Sequence, residues 1–170
     1  MEALRLLFLA LLPTLAIVAG LKDLTSMKIP NWISGLLILG FFPTALLLGL
    51  APMTIAVHVG VAVAALLTGM AMFALRWLGG GDVKLMAAAC LWLGLSGSGA
   101  FILATAVIGG LLCLTLLLVR EHLQPYVAGA PGWVAQLMEP RGDIPYGVAI
   151  AAGVLVAWPA SPLMAAFLAG

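Results

Sequence analysis

Two acidic residues, Asp23 and Asp82, are the side chains best placed to do chemistry in this chain. The sequence has only six Asp and Glu residues in 170, and these two flank long apolar runs. If the runs cross a bilayer, both carboxylates emerge at the same membrane face. Two carboxylates held together share one proton, and a shared proton is what aspartic proteolysis requires.

Asp82 closes a run of three glycines that precedes an apolar segment; the glycines are Gly79, Gly80 and Gly81. Glycine lets a substrate main chain or a neighbouring helix approach closely. An Asp at a helix N-terminus is favoured in its ionised form by the helix dipole. The alternative is a flexible loop in which Asp82 only caps the next helix.

Asp23 ends the first apolar run and is followed shortly by Pro30 and Asn31, which are typical of a helix start. A carboxylate at a helix C-terminus is repelled by the dipole, so we expect a raised pKa. The alternative is an interfacial Asp paired with Lys22 or Lys28.

A third candidate segment contains Pro145, Tyr146 and Gly147 at the start of the last apolar run. Pro145 suits a first helical position, whereas a glycine two residues later weakens the helix and indicates close packing or an unwound, cavity-facing segment. A proline cap with an interfacial tyrosine is the alternative. Asp143 is interpreted as a solvated loop charge beside Arg141, with a third site carboxylate as the alternative.

The elements that carry these residues are expected to be transmembrane helices. Hydrophobic residues make up 65% of the chain, charged residues 8%, and the mean hydropathy is +1.26, whereas soluble domains have about 25% charged residues. A formal net charge of +1 excludes a basic nucleic-acid surface. The composition predicts an all-α, polytopic membrane protein forming a single domain over residues 1–170.

Six apolar runs are predicted to span the bilayer, because about 20 residues cross its hydrocarbon core. The runs are Ala3 to Leu21, Trp32 to Leu50, Met53 to Leu75, Val83 to Leu95, Ala100 to Val119 and Tyr146 to Trp158. The fourth is expected to stop at a Ser96 to Gly99 turn, and the sixth to kink at Pro159 and Pro162 before Leu163 to Leu168. The first is interpreted as a retained helix rather than a signal peptide.

Basic residues predict the orientation, because Lys and Arg in short loops stay in the cytoplasm. Six of the seven basic residues fall in alternate connections, and only Arg5 does not. This pattern predicts both termini outside and Asp23, Asp82 and Asp143 at the cytoplasmic edge. The longest inner connection, Arg120 to Gly142, is expected to hold either a short helix on the leaflet around Trp133 or an ordered loop.

The other reactive residue types have structural interpretations. Cys90 and Cys113 lie within apolar runs and lack partners at ligand spacing, so we expect core residues and neither a metal site nor a cofactor. His58 is expected to be buried or to line a cavity, and His122 to be interfacial. No serine is paired with a histidine at the same depth, which disfavours a serine protease.

Together, the three segments resemble the type IV prepilin peptidase family, membrane aspartic proteases with a G-x-G-D motif. The resemblance rests on Asp23 with Ile29-Pro30-Asn31, on Gly79 to Leu85, and on Ile144 to Ile150, in this order. It implies that Asp23 and Asp82 are the catalytic aspartates and that Gly79 and Gly81 are the motif glycines. Gly79, Gly80 and Gly81, together with Pro145, Tyr146 and Gly147, are expected to contact the substrate.

The chain resembles most the short family forms of Tad (Flp) pilus systems, which consist of the protease core alone. Its first inner loop lacks the cysteine-bearing insertion of the longer forms, so no methyltransferase domain is expected. The resemblance implies cleavage of prepilin leaders at the cytoplasmic edge of the bacterial inner membrane. One aspartate would activate a water molecule while the other donates to the scissile carbonyl.

Two other classes of function remain as alternatives. A small proton- or ion-coupled transporter would use the carboxylates as ion sites, although coupling sites are expected near mid-membrane rather than at one edge. A non-catalytic membrane scaffold would need neither aspartate. Within the protease class, signal-peptide or presenilin-like specificity is the alternative.

Overall fold

The protein is built from α-helices in a computed structural model that describes residues 2–123, 126–127, 129–140 and 142–169. No strand occurs in these ranges, which confirms the all-α prediction. The helices are α1 (Glu2–Leu9), α2 (Leu11–Ser26), α3 (Asn31–Leu47), α4 (Pro52–Ala74), α5 (Gly80–Leu123), α6 (Gly132–Leu137), α7 (Tyr146–Ala157) and α8 (Pro162–Ala169).

Among the described residues, four helical segments are long and apolar enough to cross a membrane: Glu2–Ser26, Pro52–Ala74, Gly80–Leu123 and Tyr146–Ala169. The apolar helix α3 is shorter. Large apolar side chains such as Leu39, Leu67 and Leu103 are exposed around the bundle. Soluble monomers rarely expose apolar surface on this scale, so the exposed side chains face lipid. The structure therefore supports a polytopic membrane protein.

Helix α5 is divided by Gly94, whose φ of 61° and ψ of −171° interrupt it. The predicted turn at Ser96 to Gly99 is wrong, because those residues are helical. Only glycine readily adopts the backbone conformation of Gly94. A Cβ there would also lie 2.7 Å from the His58 ring. The break therefore separates an arm of residues 80–93 from one of residues 95–123.

The last helical segment is bent as the prolines predicted. A 3₁₀ turn, Trp158–Ala160, contains Pro159 and separates α7 from α8, which begins at Pro162. Pro145 lies one residue before α7 rather than at its first position. Within the predicted inner connection, the short helix α6 is present and contacts α2, whereas Pro125 and Arg141 lie outside the described residues.

The core lies where α2, α7 and the first arm of α5 pack together. Trp92 is fully buried, and its Nε1–H donates a 2.8 Å hydrogen bond to the Leu37 carbonyl of α3. His58 is buried at the other end of the bundle from the aspartates, with Nδ1 2.7 Å from the Leu91 carbonyl oxygen. The predicted buried His58 is thus confirmed.

Candidate active site

Asp23 lies in the last turn of α2 and is directed into the protein. Only 7% of the residue is exposed, and its Oδ2 accepts a 2.7 Å hydrogen bond from the backbone N–H of Gly147 in the first turn of α7. Helix α2 ends at Ser26 because Met27 adopts a left-handed conformation, with a φ of 51°, and its N–H bonds back to the Asp23 carbonyl. Asp23 is therefore held by α7 rather than by Lys22 or Lys28.

Asp82 lies in the first turn of α5, three residues after Gly79. The Gly79 carbonyl accepts a hydrogen bond from the Val83 N–H. Gly79 is therefore the N-cap of α5, and Asp82 lies within the first turn of the helix. A Cβ at Gly79 would lie 2.7 Å from Asp82 Oδ2. Asp82 Oδ1 is buried and has no hydrogen-bond partner among the described residues. One carboxylate oxygen is therefore buried without a described partner, which disfavours the charged form of Asp82.

The two aspartates lie together on the boundary between two adjoining clefts. The first cleft, of about 980 Å³, lies between the end of α4 and the segment before α7, and Phe73, Trp77 and Tyr146 line it. The second, of about 580 Å³, lies beside the α2–α3 connection, and Lys22 and Lys28 line it. Asp23, Met27, Gly79 and Asp82 line both clefts. A chain running from one cleft to the other would pass both carboxylates.

Burial makes both carboxylates weaker acids than usual. The two residues lie in the terminal turns of the segments Glu2–Ser26 and Gly80–Leu123, outside the apolar runs that end at Leu21 and begin at Val83. Burial, together with the charge of Asp23, raises the pKa of Asp82 to about 7 against the opposing hydrogen bond from the Gly79 backbone. Burial also raises the pKa of Asp23, against the Gly147 hydrogen bond and with a contribution from Asp143. Both shifts favour a protonated carboxyl at the site.

The other predicted site residues differ in which cleft they line. Gly80 and Gly81 line the second cleft, and Gly79 lines both. Tyr146 lines the first cleft, whereas Pro145 is buried and lines neither. Gly147 contacts Asp23 directly, because a Cβ there would lie 2.9 Å from both the Cβ and the Oδ2 of Asp23.

Several features of the site were not anticipated from the sequence. Asp143 is exposed, as predicted for a loop charge, yet it lines the first cleft with the two aspartates. Cys113 was expected in the core, but it is partly exposed and lines the same cleft. Arg120 is buried and binds the segment before α7. No sequence motif marks these residues, because their neighbours come from distant helices.

Metal-ligating side chains are not clustered in the part of the chain that the structure describes. No group of three or more His, Cys, Asp or Glu residues suited to a metal ion occurs there. The groups available for chemistry at the cleft boundary are thus two carboxylates and the backbone around them.

Comparison with known proteins shows the family of the chain. The model of the type IV leader peptidase family matches residues 10–114, which is more than half of the 170-residue chain. The chain belongs to the type IV leader peptidase family. The matched segment includes both aspartates and the three glycines, and it confirms the resemblance drawn from the sequence motifs. No curated protein and no solved structure matches the chain.

Membership of this family places the chain among membrane peptidases that act on type IV leader sequences. The family match ends before Arg120, Asp143 and Gly147, so the contacts of these residues are known only from the structure of this chain.

Proposed function

We propose that the protein is a membrane aspartic endopeptidase that removes the leader from Flp-type prepilins, with Asp23 and Asp82 as its catalytic pair. The observation that carries this proposal is the position of both carboxylates on the boundary shared by two clefts. Helices far apart in the sequence supply the two residues, and a polypeptide passing between the clefts must pass both.

Asp23 is the better candidate for the base. Its Oδ2 accepts the Gly147 N–H, and a hydrogen bond to a carboxylate favours the ionised form. Asp82, with a pKa raised to about 7 and an unpartnered Oδ1, is the better candidate for the proton donor. The pair nevertheless titrates as a unit, so the assignment describes the predominant protonation state.

In the proposed reaction, ionised Asp23 takes a proton from a water molecule while protonated Asp82 donates a hydrogen bond to the scissile carbonyl oxygen. The water oxygen attacks the carbonyl carbon, and Asp82 stabilises the negative charge that develops on the carbonyl oxygen. The proton held by Asp23 passes to the leaving amine as the C–N bond breaks. This cycle needs no covalent enzyme intermediate and returns the pair to one shared proton.

Charge supports one direction for the substrate chain. At the first cleft the charge of Asp143 offsets that of Arg76 and offers a basic prepilin leader a partner, whereas Lys22 and Lys28 at the second cleft would repel it. The apolar helix that follows the cleavage point would then leave by the second cleft. Proteolysis needs an extended backbone, and the junction between leader and helix provides one.

The glycine run is proposed to accommodate that extended backbone. Gly81 has little room beside the α2–α3 connection, because a Cβ there would lie 3.1 Å from the Ile29 Cβ. Replacing Gly81 with Val should therefore narrow the second cleft and reduce processing more than membrane insertion. An unchanged cleavage rate in a normally inserted Gly81→Val protein would contradict this role.

The Tad (Flp) assignment and the absence of methylation are supported by the short first connection. Only residues 27–30 separate α2 from α3, and none of them is a cysteine. We place the enzyme in the bacterial inner membrane with both termini outside and the aspartates at the cytoplasmic edge. That edge supplies the water the reaction consumes.

The experiment is co-expression of the protein with candidate Flp-type and ordinary type IV prepilins, read by gel mobility and N-terminal sequencing of the product. Asp23→Asn and Asp82→Asn should each lower cleavage by about 10²-fold or more, since each removes an acid–base group. Glu121→Gln, an exposed carboxylate change on α5, is the matched control. Substantial processing by inserted Asp82→Asn protein would refute the mechanism.

The same variants distinguish the alternative functions. A scaffold would support pilus assembly with either Asp→Asn change, and a transporter would move protons or ions across proteoliposomes without a substrate peptide. N-terminal sequencing of an ordinary membrane substrate tests broader protease specificity, because the prepilin-specific enzyme leaves that substrate intact.

A further inference from the structure

Arg120 is a buried cation near the C-terminal end of α5, and it binds the segment that leads into α7. The residue is 3% exposed. Its guanidinium donates three hydrogen bonds to backbone carbonyls: Nε to Leu137 at 2.8 Å, Nη1 to Gly142 at 2.7 Å and Nη2 to Asp143 at 2.6 Å. One side chain therefore fastens both ends of the connection between α6 and α7.

An interfacial anchor would not explain this arrangement. Arg side chains at membrane edges usually extend their charged end towards water and lipid headgroups. Arg120 instead turns inward, where burying a charge is costly unless its hydrogen-bonding groups find partners. The planar guanidinium presents several N–H donors in a fixed fork, which suits three separate carbonyl oxygens better than a lysine ammonium.

The fastened segment leads directly to the candidate active site. Asp143, whose carbonyl Arg120 binds, lies four residues before Gly147, and the buried Pro145 restricts the backbone between them. Gly147 in turn donates its N–H to Asp23 Oδ2 at 2.7 Å. A continuous set of contacts therefore connects Arg120 to a carboxylate of the proposed pair.

We propose that Arg120 is a positioning residue: its three hydrogen bonds hold the segment before α7 so that the Gly147 N–H remains directed at Asp23. The inference rests on the proposed function, in which Asp23 acts on the attacking water. Arg120 itself takes no part in the chemistry, and its effect on cleavage is exerted through Gly147.

The first test compares Arg120→Lys and Arg120→Gln with Glu121→Gln, a neighbouring exposed change on the same helix. Lysine keeps the charge but cannot make the three hydrogen bonds, and glutamine keeps neither. Both Arg120 variants should therefore lose about 10²-fold in kcat, the loss expected when a catalytic group is misplaced by about 1 Å. The control should cleave like the wild type. Full activity in Arg120→Lys would overturn the proposal, because charge alone would then suffice.

A pH profile separates positioning from a general loss of structure. Weakening the Gly147 hydrogen bond destabilises ionised Asp23, so the acid limb of kcat/KM should move to higher pH in Arg120→Lys. The alkaline limb should stay in place. Because the loosened segment also carries Asp143, the comparison is repeated in an Asp143→Asn background, where only the hydrogen bond contributes. Unchanged limbs in both backgrounds would contradict the proposal.

Hydrogen exchange provides a readout that does not depend on catalysis. The hydrogen-bonded amides of Gly142 and Gly147 should exchange faster in Arg120→Lys than in the wild type, whereas those of residues 80–93 should be unchanged. If the wild type cleaves no prepilin, the proposed function fails while faster exchange still supports the fastening by Arg120. Unchanged exchange at Gly142 and Gly147 in an inserted variant would refute it even if the enzyme is active.

Discussion

The most direct test of the packing around Asp23 is Gly147→Ala, which adds one methyl group. In the wild type, the Gly147 N–H donates to Asp23 Oδ2 at 2.7 Å. A Cβ at this position would lie 2.9 Å from the Asp23 Cβ, 2.9 Å from its Oδ2 and 2.9 Å from the Cδ1 of Ile29. All three distances are shorter than carbon–carbon and carbon–oxygen contacts normally are, so the carboxylate or α7 must move.

These contacts set the expected losses of folding stability and of activity. Overpacking a buried site costs about 1–3 kcal/mol, and a hydrogen bond to a charged group contributes about 1.5–3 kcal/mol. Gly147→Ala should therefore destabilise the protein by about 1–3 kcal/mol if the hydrogen bond survives, and by about 2.5–6 kcal/mol if it is lost as well. Because the carboxylate is displaced, cleavage should also fall by about 10²-fold. If Gly147 had free space, alanine would instead stabilise α7 by roughly 0.5–1 kcal/mol.

The assay is prepilin cleavage in detergent or proteoliposomes, combined with denaturant unfolding of the purified protein. Gly110→Ala is the matched control, because Gly110 lies in a helix and a Cβ there meets nothing within 4 Å. The control should cleave normally and be at least as stable as the wild type. Gly147→Ala protein that is both more stable and within threefold of wild-type activity would refute the packing of Gly147 against Asp23.

Three further predictions concern the pH profile, the charge of Asp143 and the break in α5. The pH profile of kcat/KM should be bell-shaped, because cleavage needs ionised Asp23 and protonated Asp82. Its alkaline limb should fall above about pH 7, where Asp82 loses its proton. The charge of Asp143 contributes to the raised pKa of Asp23. Asp143→Asn should therefore shift the acid limb of the kcat/KM profile to lower pH and leave the alkaline limb in place. A displaced alkaline limb would contradict this prediction. Gly94→Ala should cost about 1–3 kcal/mol in denaturant unfolding, because its backbone conformation is essentially restricted to glycine and its Cβ would meet the His58 ring. Unchanged stability would mean that the break does not require glycine.

The sequence was sufficient for the class of fold and for the residues of the proposed pair. Most of the apolar runs contain about 20 residues, the length of a membrane helix, and a helix satisfies its backbone hydrogen bonds within itself in lipid. The scarcity of acidic residues then singled out Asp23 and Asp82. Local patterns also predicted the helix start at Asn31 and the bend near Pro159.

Local patterns failed where a distant neighbour decides the conformation. The Ser96 to Gly99 cluster was predicted as a turn, but Gly94 takes that role beside the ring of His58, which belongs to another helix. Cys113 was assigned to the core for its apolar neighbours in sequence, yet the packing of α4 and the segment before α7 leaves it on a cleft.

Residue types and spacing alone therefore determined that this chain is a membrane helix bundle, and they predicted two carboxylates as its reactive groups. Only the tertiary structure decided what surrounds those groups: the Gly147 N–H on Asp23, the unpartnered oxygen of Asp82, and the Arg120 contacts behind them. The physical reason is that hydropathy and propensity act between near neighbours in sequence. The hydrogen bond to Asp23, by contrast, joins residues 124 positions apart.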